Sequence, residues 1–124
     1  MLWLLVGGGG ALGAIARHGL NQLIQQQHLA STFPLGIFVI NVLGSALVGM
    51  LSGLIVSERW PLSLEARTFL IVGVLGGFTT FSSFSLDTLV LTRNGDIGQA
   101  MWNVAGQVGL SLFAVWLGFT IATL

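Results

Sequence analysis

The chain has 124 residues, of which 54% are hydrophobic and only 6% charged, with a mean hydropathy of +0.93. A soluble domain carries roughly a quarter charged residues, so this composition cannot cover a water-facing surface and places the chain among integral membrane proteins of one domain. Formal net charge is zero, with four arginines and no lysine, which excludes a nucleic-acid footprint. Cysteine is absent, so disulfides, thiolate metal sites and cysteine nucleophiles are excluded together.

The first predicted helix runs from about residue 2 to 24, long enough to cross a hydrocarbon core of roughly 30 Å. With no charged segment ahead of it and no small-residue cleavage site after it, the stretch reads as a retained helix, not a removed signal peptide. Gly7 to Gly10, Gly13, Ala14 and Ala16 offer a small-residue face for close helix packing. A phosphate-binding loop does not fit, because no strand precedes the glycines and no Gly-Lys-Ser/Thr follows them. Arg17 has two readings, an interfacial anchor and a structural or vestibule role. His18 and His28 lack a third ligand, so neither is a metal site.

The second helix is expected over about 33–56, with Pro34 at its start. Asn41 is its one strongly polar residue, and an amide at that depth needs a partner: another helix, the backbone or a water-lined path. A loop with Glu58, Arg59, Trp60 and Pro61 leads to a third helix over about 66–92. Its centre, Gly73-Val-Leu-Gly-Gly-Phe-Thr-Thr-Phe-Ser-Ser-Phe-Ser85, is too rich in glycine and hydroxyls for a plain span, and the length of the segment leaves room for a break in its middle. The fourth helix is expected over about 97–121. Its polar residues Asn103, Gln107 and Ser111 fall on one stripe, which reads as one wall of a hydrated track, or more plainly as helix–helix hydrogen bonding.

Four spans place Arg59 and Arg67 on one side and Arg17 and Arg93 on the other. Charge therefore gives little orientation bias, and insertion both ways round would permit an antiparallel, dual-topology homodimer. No nucleophile–base pair, metal cluster or paired carboxylates lie within the spans, so no catalytic residue is expected and conduction is the stronger class. Hydroxyls of Thr80, Ser82, Ser83 and Ser111, amides of Asn41 and Gln107, and the positive ring edges of Phe81 and Phe84 could accompany a desolvated anion without a full counter-charge. The plainer alternative is a phenylalanine packing cluster.

Three motifs carry a resemblance: Gly9-Gly-Ala-Leu-Gly13-Ala-Ile-Ala-Arg17, Asn41 with Gly44, and Gly76-Gly-Phe-Thr79-Thr80-Phe81-Ser-Ser83-Phe84. Over nearly the whole chain the sequence resembles the Fluc/CrcB fluoride channels. The resemblance implies an all-α membrane protein of four transmembrane helices per subunit with a broken third helix. It implies an antiparallel homodimer in the inner (plasma) membrane whose two pores export fluoride passively and so reduce fluoride toxicity. Phe81 and Phe84 match the family's pore phenylalanines, and Asn41 its pore asparagine. Thr80 and Ser83 fall beside the phenylalanines, while Asn103, Gln107 and Ser111 fall on the fourth-helix polar track. Arg17 matches a vestibule or supporting arginine. Gly76 and Thr79 match positions in the family's helix break whose backbone carbonyls hold a structural Na+ at the dimer centre, so the resemblance places the break at Gly76 to Thr79. Amides at 103 and 107, Asp87 where a glutamate is common, and His18 where tyrosine is frequent depart from the family pattern. The competing class, a small multidrug-type dual-topology exporter, needs a carboxylate in the first helix, and none is present.

Overall fold

A computed structural model describes residues 1–124. It is all helical: α1 (Leu2–Gln27), α2 (Leu35–Val56), α3 (Leu64–Arg67) continued by a π-helical stretch (Thr68–Leu75) and α4 (Gly76–Phe78), then α5 (Phe81–Arg93) and α6 (Ile97–Thr123). The pieces from Leu64 to Arg93 form one interrupted rod, so the chain is four long helical segments with the third broken. Three of them, Leu35–Val56, Leu64–Arg93 and Ile97–Thr123, are long and apolar enough to cross a membrane. The segment α1 has the length, at 26 residues, but its glycine run and its polar second half from Arg17 onward dilute its apolar content.

The segments pack as two close pairs, α1 against the π-helical stretch and α4, and α2 against α6, with α5 completing the second pair. Glycine sets the first approach. A Cβ on Gly13 would strike the carbonyl of Val74 and lie 2.8 Å from the Phe78 nitrogen, and one on Gly77 would lie 2.5 Å from the Gly10 carbonyl. Backbone thus meets backbone, as small-residue packing in a membrane requires, because lipid supplies no hydrophobic drive between helices. Exposed apolar side chains, including Leu12, Ile15, Trp102 (74% exposed) and Trp116, face outward, as a lipid-facing surface demands.

The break in the third segment overlaps the expected Gly76 to Thr79 stretch only at Thr79 and extends one residue beyond it, to Thr80. Gly76 is ordinary right-handed helix (φ −64°, ψ −36°), and the helix continues through Phe78. Thr79 (φ −81°, ψ 158°) and Thr80 (φ −154°, ψ 124°) are the extended residues. Two physical causes move it. Gly77 is consumed by contact with α1, and Thr80 is a good N-cap: its Oγ1 accepts from the Ser83 N–H at 3.2 Å to start α5. The π-helical turns ahead of the break have no counterpart in the sequence reading; stretches of this kind are commonly found beside functional sites.

Replacing Gly13 by alanine is expected to lower stability by about 1–3 kcal/mol, the usual cost of overpacking. Gly19, whose added Cβ meets nothing within 4 Å, should tolerate alanine with unchanged or slightly raised stability. Thermal unfolding of both variants in detergent checks the pair.

Candidate functional site

The break leaves backbone groups without helical partners at a depth where water is scarce, and side chains from α1 and α2 answer them. Thr80 N–H, which in an unbroken helix would reach the Gly76 carbonyl, donates instead to Asn41 Oδ1 at 2.8 Å. Asn41 Nδ2 in turn donates to the Thr80 carbonyl at 2.9 Å. One amide side chain thereby pairs with both polar groups of one backbone residue, as a neighbouring strand would. Arg17 Nη1 donates to the Thr79 carbonyl at 3.1 Å. Of the two readings of Arg17, the structure shows the inward one: it supports the break from α1.

Asn41 Nδ2 also donates to Gln107 Oε1 at 2.6 Å, Gln107 Nε2 to Asn103 Oδ1 at 2.8 Å, and Asn103 Nδ2 to Thr88 Oγ1 at 3.0 Å. The Thr88 hydroxyl closes the series by donating to the Phe84 carbonyl at 2.8 Å. The series begins beside the start of α5 and ends on its second turn, after passing through α2 and α6. Asn103 and Gln107 do lie on one stripe, as their spacing predicts, but that stripe is interior: Asn103 is 0% and Gln107 4% exposed. Asn103 bonds helices together and does not border the cavity described next.

A cavity of about 420 Å³ opens beside the break, walled by α2, the Thr79–Thr80 corner, α5 and α6. Asn41, Thr80, Phe81, Phe84, Gln107 and Ser111 are its chemically distinctive walls, and no charged side chain lines it. The Phe81 and Phe84 rings stand 5.3 Å apart at 49°, so each presents part of an edge to its surroundings. Phe84 is anchored in the core with Ile37, Ile40 and Phe78, whereas Phe81 is 76% exposed. Most hydroxyls here already donate within the chain: Ser45 to the Asn41 carbonyl at 2.7 Å and Thr79 to the Leu75 carbonyl at 3.1 Å. Thr80 Oγ1 also lies 3.2 Å from Ser82 Oγ and 3.3 Å from Ser83 Oγ. Ser83 sits at the edge of this cluster, outside the cavity wall. Ser111 makes no hydrogen bond within the chain, so its hydroxyl is free toward the cavity. Phe81 and Ser82 open α5, whose first-turn N–H groups give that corner a partial positive charge.

No group of three or more His, Cys, Asp or Glu could hold a metal. The available hard donors are main-chain carbonyls: Gly76, whose usual i+4 donor is held by Asn41, and Thr79, which retains a second lone pair beside Arg17. Asp87 lies one turn beyond Phe84, outside the cavity lining, and its buried Oδ2 has no partner. Ser45, Val48, Leu112 and Val115 also border the cavity and were not singled out from sequence. Only Ser45 carried a signal, one turn after Asn41 on the same face.

A family profile described as "CrcB-like protein, Camphor Resistance (CrcB)" matches residues 4–119. Among curated relatives, a fluoride-specific ion channel FluC of Opitutus terrae is 49% identical over 122 residues, covering 98% of this chain and 92% of its own. The protein of the same name from Paramagnetospirillum magneticum is 47% identical, covering 100% of this chain and 97% of its own. One from Thermus thermophilus is 47% identical, covering 96% and 93%. With a family match spanning nearly every residue and relatives of this similarity aligned over whole chains, this four-segment protein belongs to the CrcB family.

Proposed function

We propose that this chain is a fluoride channel, conducting the anion passively and relieving fluoride toxicity. The observation that carries the reading is the cavity itself. It joins phenylalanine edges, a free hydroxyl and an amide in one uncharged space beside the positive end of α5. Such a wall compensates a small anion by partial charges, whereas a lysine or arginine would hold it too long to conduct. Relatives carrying the name fluoride-specific ion channel point to the same anion. A proton-coupled exporter finds no support, since Met1–Gln27 contains no carboxylate.

The working unit in this proposal is an antiparallel homodimer with two pores, spanning the inner (plasma) membrane. Phe81, Val108 and Leu112 stand exposed around the cavity, so a single copy would leave the Ser111 hydroxyl and the amides in its wall open to lipid; a second copy would cover them. Charge permits both orientations. With Arg17 drawn to the break, Arg59 and Arg67 on one side oppose Arg93 on the other, an excess of a single charge. In the proposed pore Phe81 and Phe84 present ring edges, Asn41, Thr80 and Ser111 border the path, and Ser83 supports Thr80 from outside the cavity wall. Gln107 and Asn103 hold Asn41 in place.

The proposal includes a structural Na+ at the dimer centre. The residues fit in kind: the Gly76 and Thr79 carbonyls are hard oxygen donors released from helical bonding or with a lone pair to spare. Two carbonyls from one chain leave a coordination shell incomplete, and a twofold-related copy would double them. When bound, the ion would neutralise carbonyl dipoles where the two broken helices meet.

In proteoliposomes the wild-type chain is expected to give passive, charge-carrying fluoride efflux; its absence would sink the channel reading. Phe81→Ile should cut that flux at least tenfold while dimer formation on size exclusion is unchanged. Asn41→Asp keeps an acceptor for Thr80 N–H but loses both donors, and should cut flux to a similar extent. Unchanged flux in both variants would remove these residues from the path. Exchanging Na+ for a larger organic cation should weaken dimerisation or flux, and indifference to the exchange would remove the ion.

A further inference from the structure

Building on the channel reading, the polarity of the buried amide series singles out one residue. An asparagine amide has two N–H bonds to donate, and both of Asn41's are spent inside the chain, on the Thr80 carbonyl and on Gln107 Oε1. The direction of each bond is determined by its neighbours. Thr80 N–H is a donor, so the Asn41 atom facing it is the oxygen and the other is nitrogen. Gln107 must then accept with its oxygen and donate with its nitrogen to Asn103 Oδ1, and Asn103 must donate to Thr88. Gln107 cannot turn its NH₂ toward the cavity without abandoning Asn103, which is fully buried and has no water to compensate.

Asn41 and Gln107 both border the cavity, so their mutual bond is within reach of whatever enters it. An anion seeking the Asn41 N–H must therefore replace an amide oxygen already in place at 2.6 Å. We propose that Gln107 is a specificity-determining positioning residue: its side-chain oxygen occupies the Asn41 N–H that an anion must take over. Only an anion accepting a stronger hydrogen bond than an amide oxygen makes the exchange. Hydrogen bonds to an ionised acceptor are roughly twice as strong as those between neutral groups. The strength falls as the charge spreads over a larger ion, so in this proposal fluoride displaces the amide oxygen more readily than chloride does. After the anion leaves, the Gln107 oxygen is still held over Asn41 by its bond to Asn103, which Thr88 fixes in turn, and the resting pair re-forms.

The test measures fluoride and chloride efflux from proteoliposomes for the wild type, Gln107→Met and Gln107→Glu. Methionine keeps the length and removes the oxygen; glutamate keeps an oxygen toward Asn41. Gln107→Met should lower the fluoride-to-chloride rate ratio at least tenfold and reduce the fluoride concentration at half-maximal flux several-fold. Gln107→Glu should keep the ratio at or above the wild-type value while slowing flux. If Gln107→Met does not assemble, the double variant Gln107→Met/Asn103→Leu, which also removes the Asn103 amide left without its Gln107 partner and leaves the Asn41 N–H open to the cavity, supplies the ratio. An unmoved ratio in the assembled methionine variant, or equal falls in the methionine and glutamate variants, would overturn the proposal and leave Gln107 a packing residue. Wild-type protein that carries no fluoride would instead remove the channel reading beneath it.

Discussion

A helix interrupted inside a membrane exposes main-chain N–H and C=O groups to a medium that cannot hydrogen-bond them, and each one left alone costs several kcal/mol. The pairing of the Asn41 amide with both polar groups of Thr80 resolves that constraint here, and the rest of the fold is arranged around it. For the pair to form, α2 must stand against the corner between α4 and α5. Gly44 permits this, since a side chain there would run into Thr79 Cγ2. From the opposite side, α1 can bring Arg17 to the Thr79 carbonyl because Gly13 and Gly77 let backbones touch. The glycines and the polar residues serve the same end: close approach on one face, and hydrogen-bond closure on the other.

The same solution shapes the cavity. Because the chain leaves the helix at Thr79 and re-enters it at Phe81, the first turn of α5 points its aromatic residues and its N-terminal dipole toward the space between α2 and α6. The cavity walls are therefore mild: ring edges, a hydroxyl and amides whose bonds are already shared. A site of this kind stabilises an anion by many small terms, each of which can be exchanged rapidly, in keeping with conduction and not with tight binding. The buried amide of Asn103 ties α6 to α5 through Thr88, and that of Gln107 ties α6 to α2 through Asn41.

Much of this was legible in the residues. Composition and apolar segment lengths establish a helical membrane protein, because no other use of so few charges is stable in water. The clustered hydroxyls and glycines of Gly73–Ser85 mark an interrupted segment, since each local preference there opposes a continuous helix. The common stripe of Asn103, Gln107 and Ser111 follows from helical periodicity alone. Periodicity does not say which way a stripe faces, and the structure turns Asn103 inward while leaving Gln107, itself nearly buried, and Ser111 at the cavity wall. Nor does residue type separate an arginine that snorkels from one that reaches inward to a carbonyl; Arg17 is decided by the presence of Thr79 across the helix pair.

The amino-acid sequence by itself determined the solvent the protein lives in, the number of its long helical segments, the interruption of the third, and the family. These follow from local chemistry summed along the chain. Only the tertiary structure decided that the interruption falls at Thr79 and Thr80, later than the glycines. It alone showed a π-helical stretch ahead of the break and the spending of the Asn41 donors on Thr80 and Gln107. The reason is that a freed backbone group is satisfied by whichever side chain stands opposite it. What stands opposite residue 80 is residue 41, set there by the packing of separate helices and by no local preference of the chain.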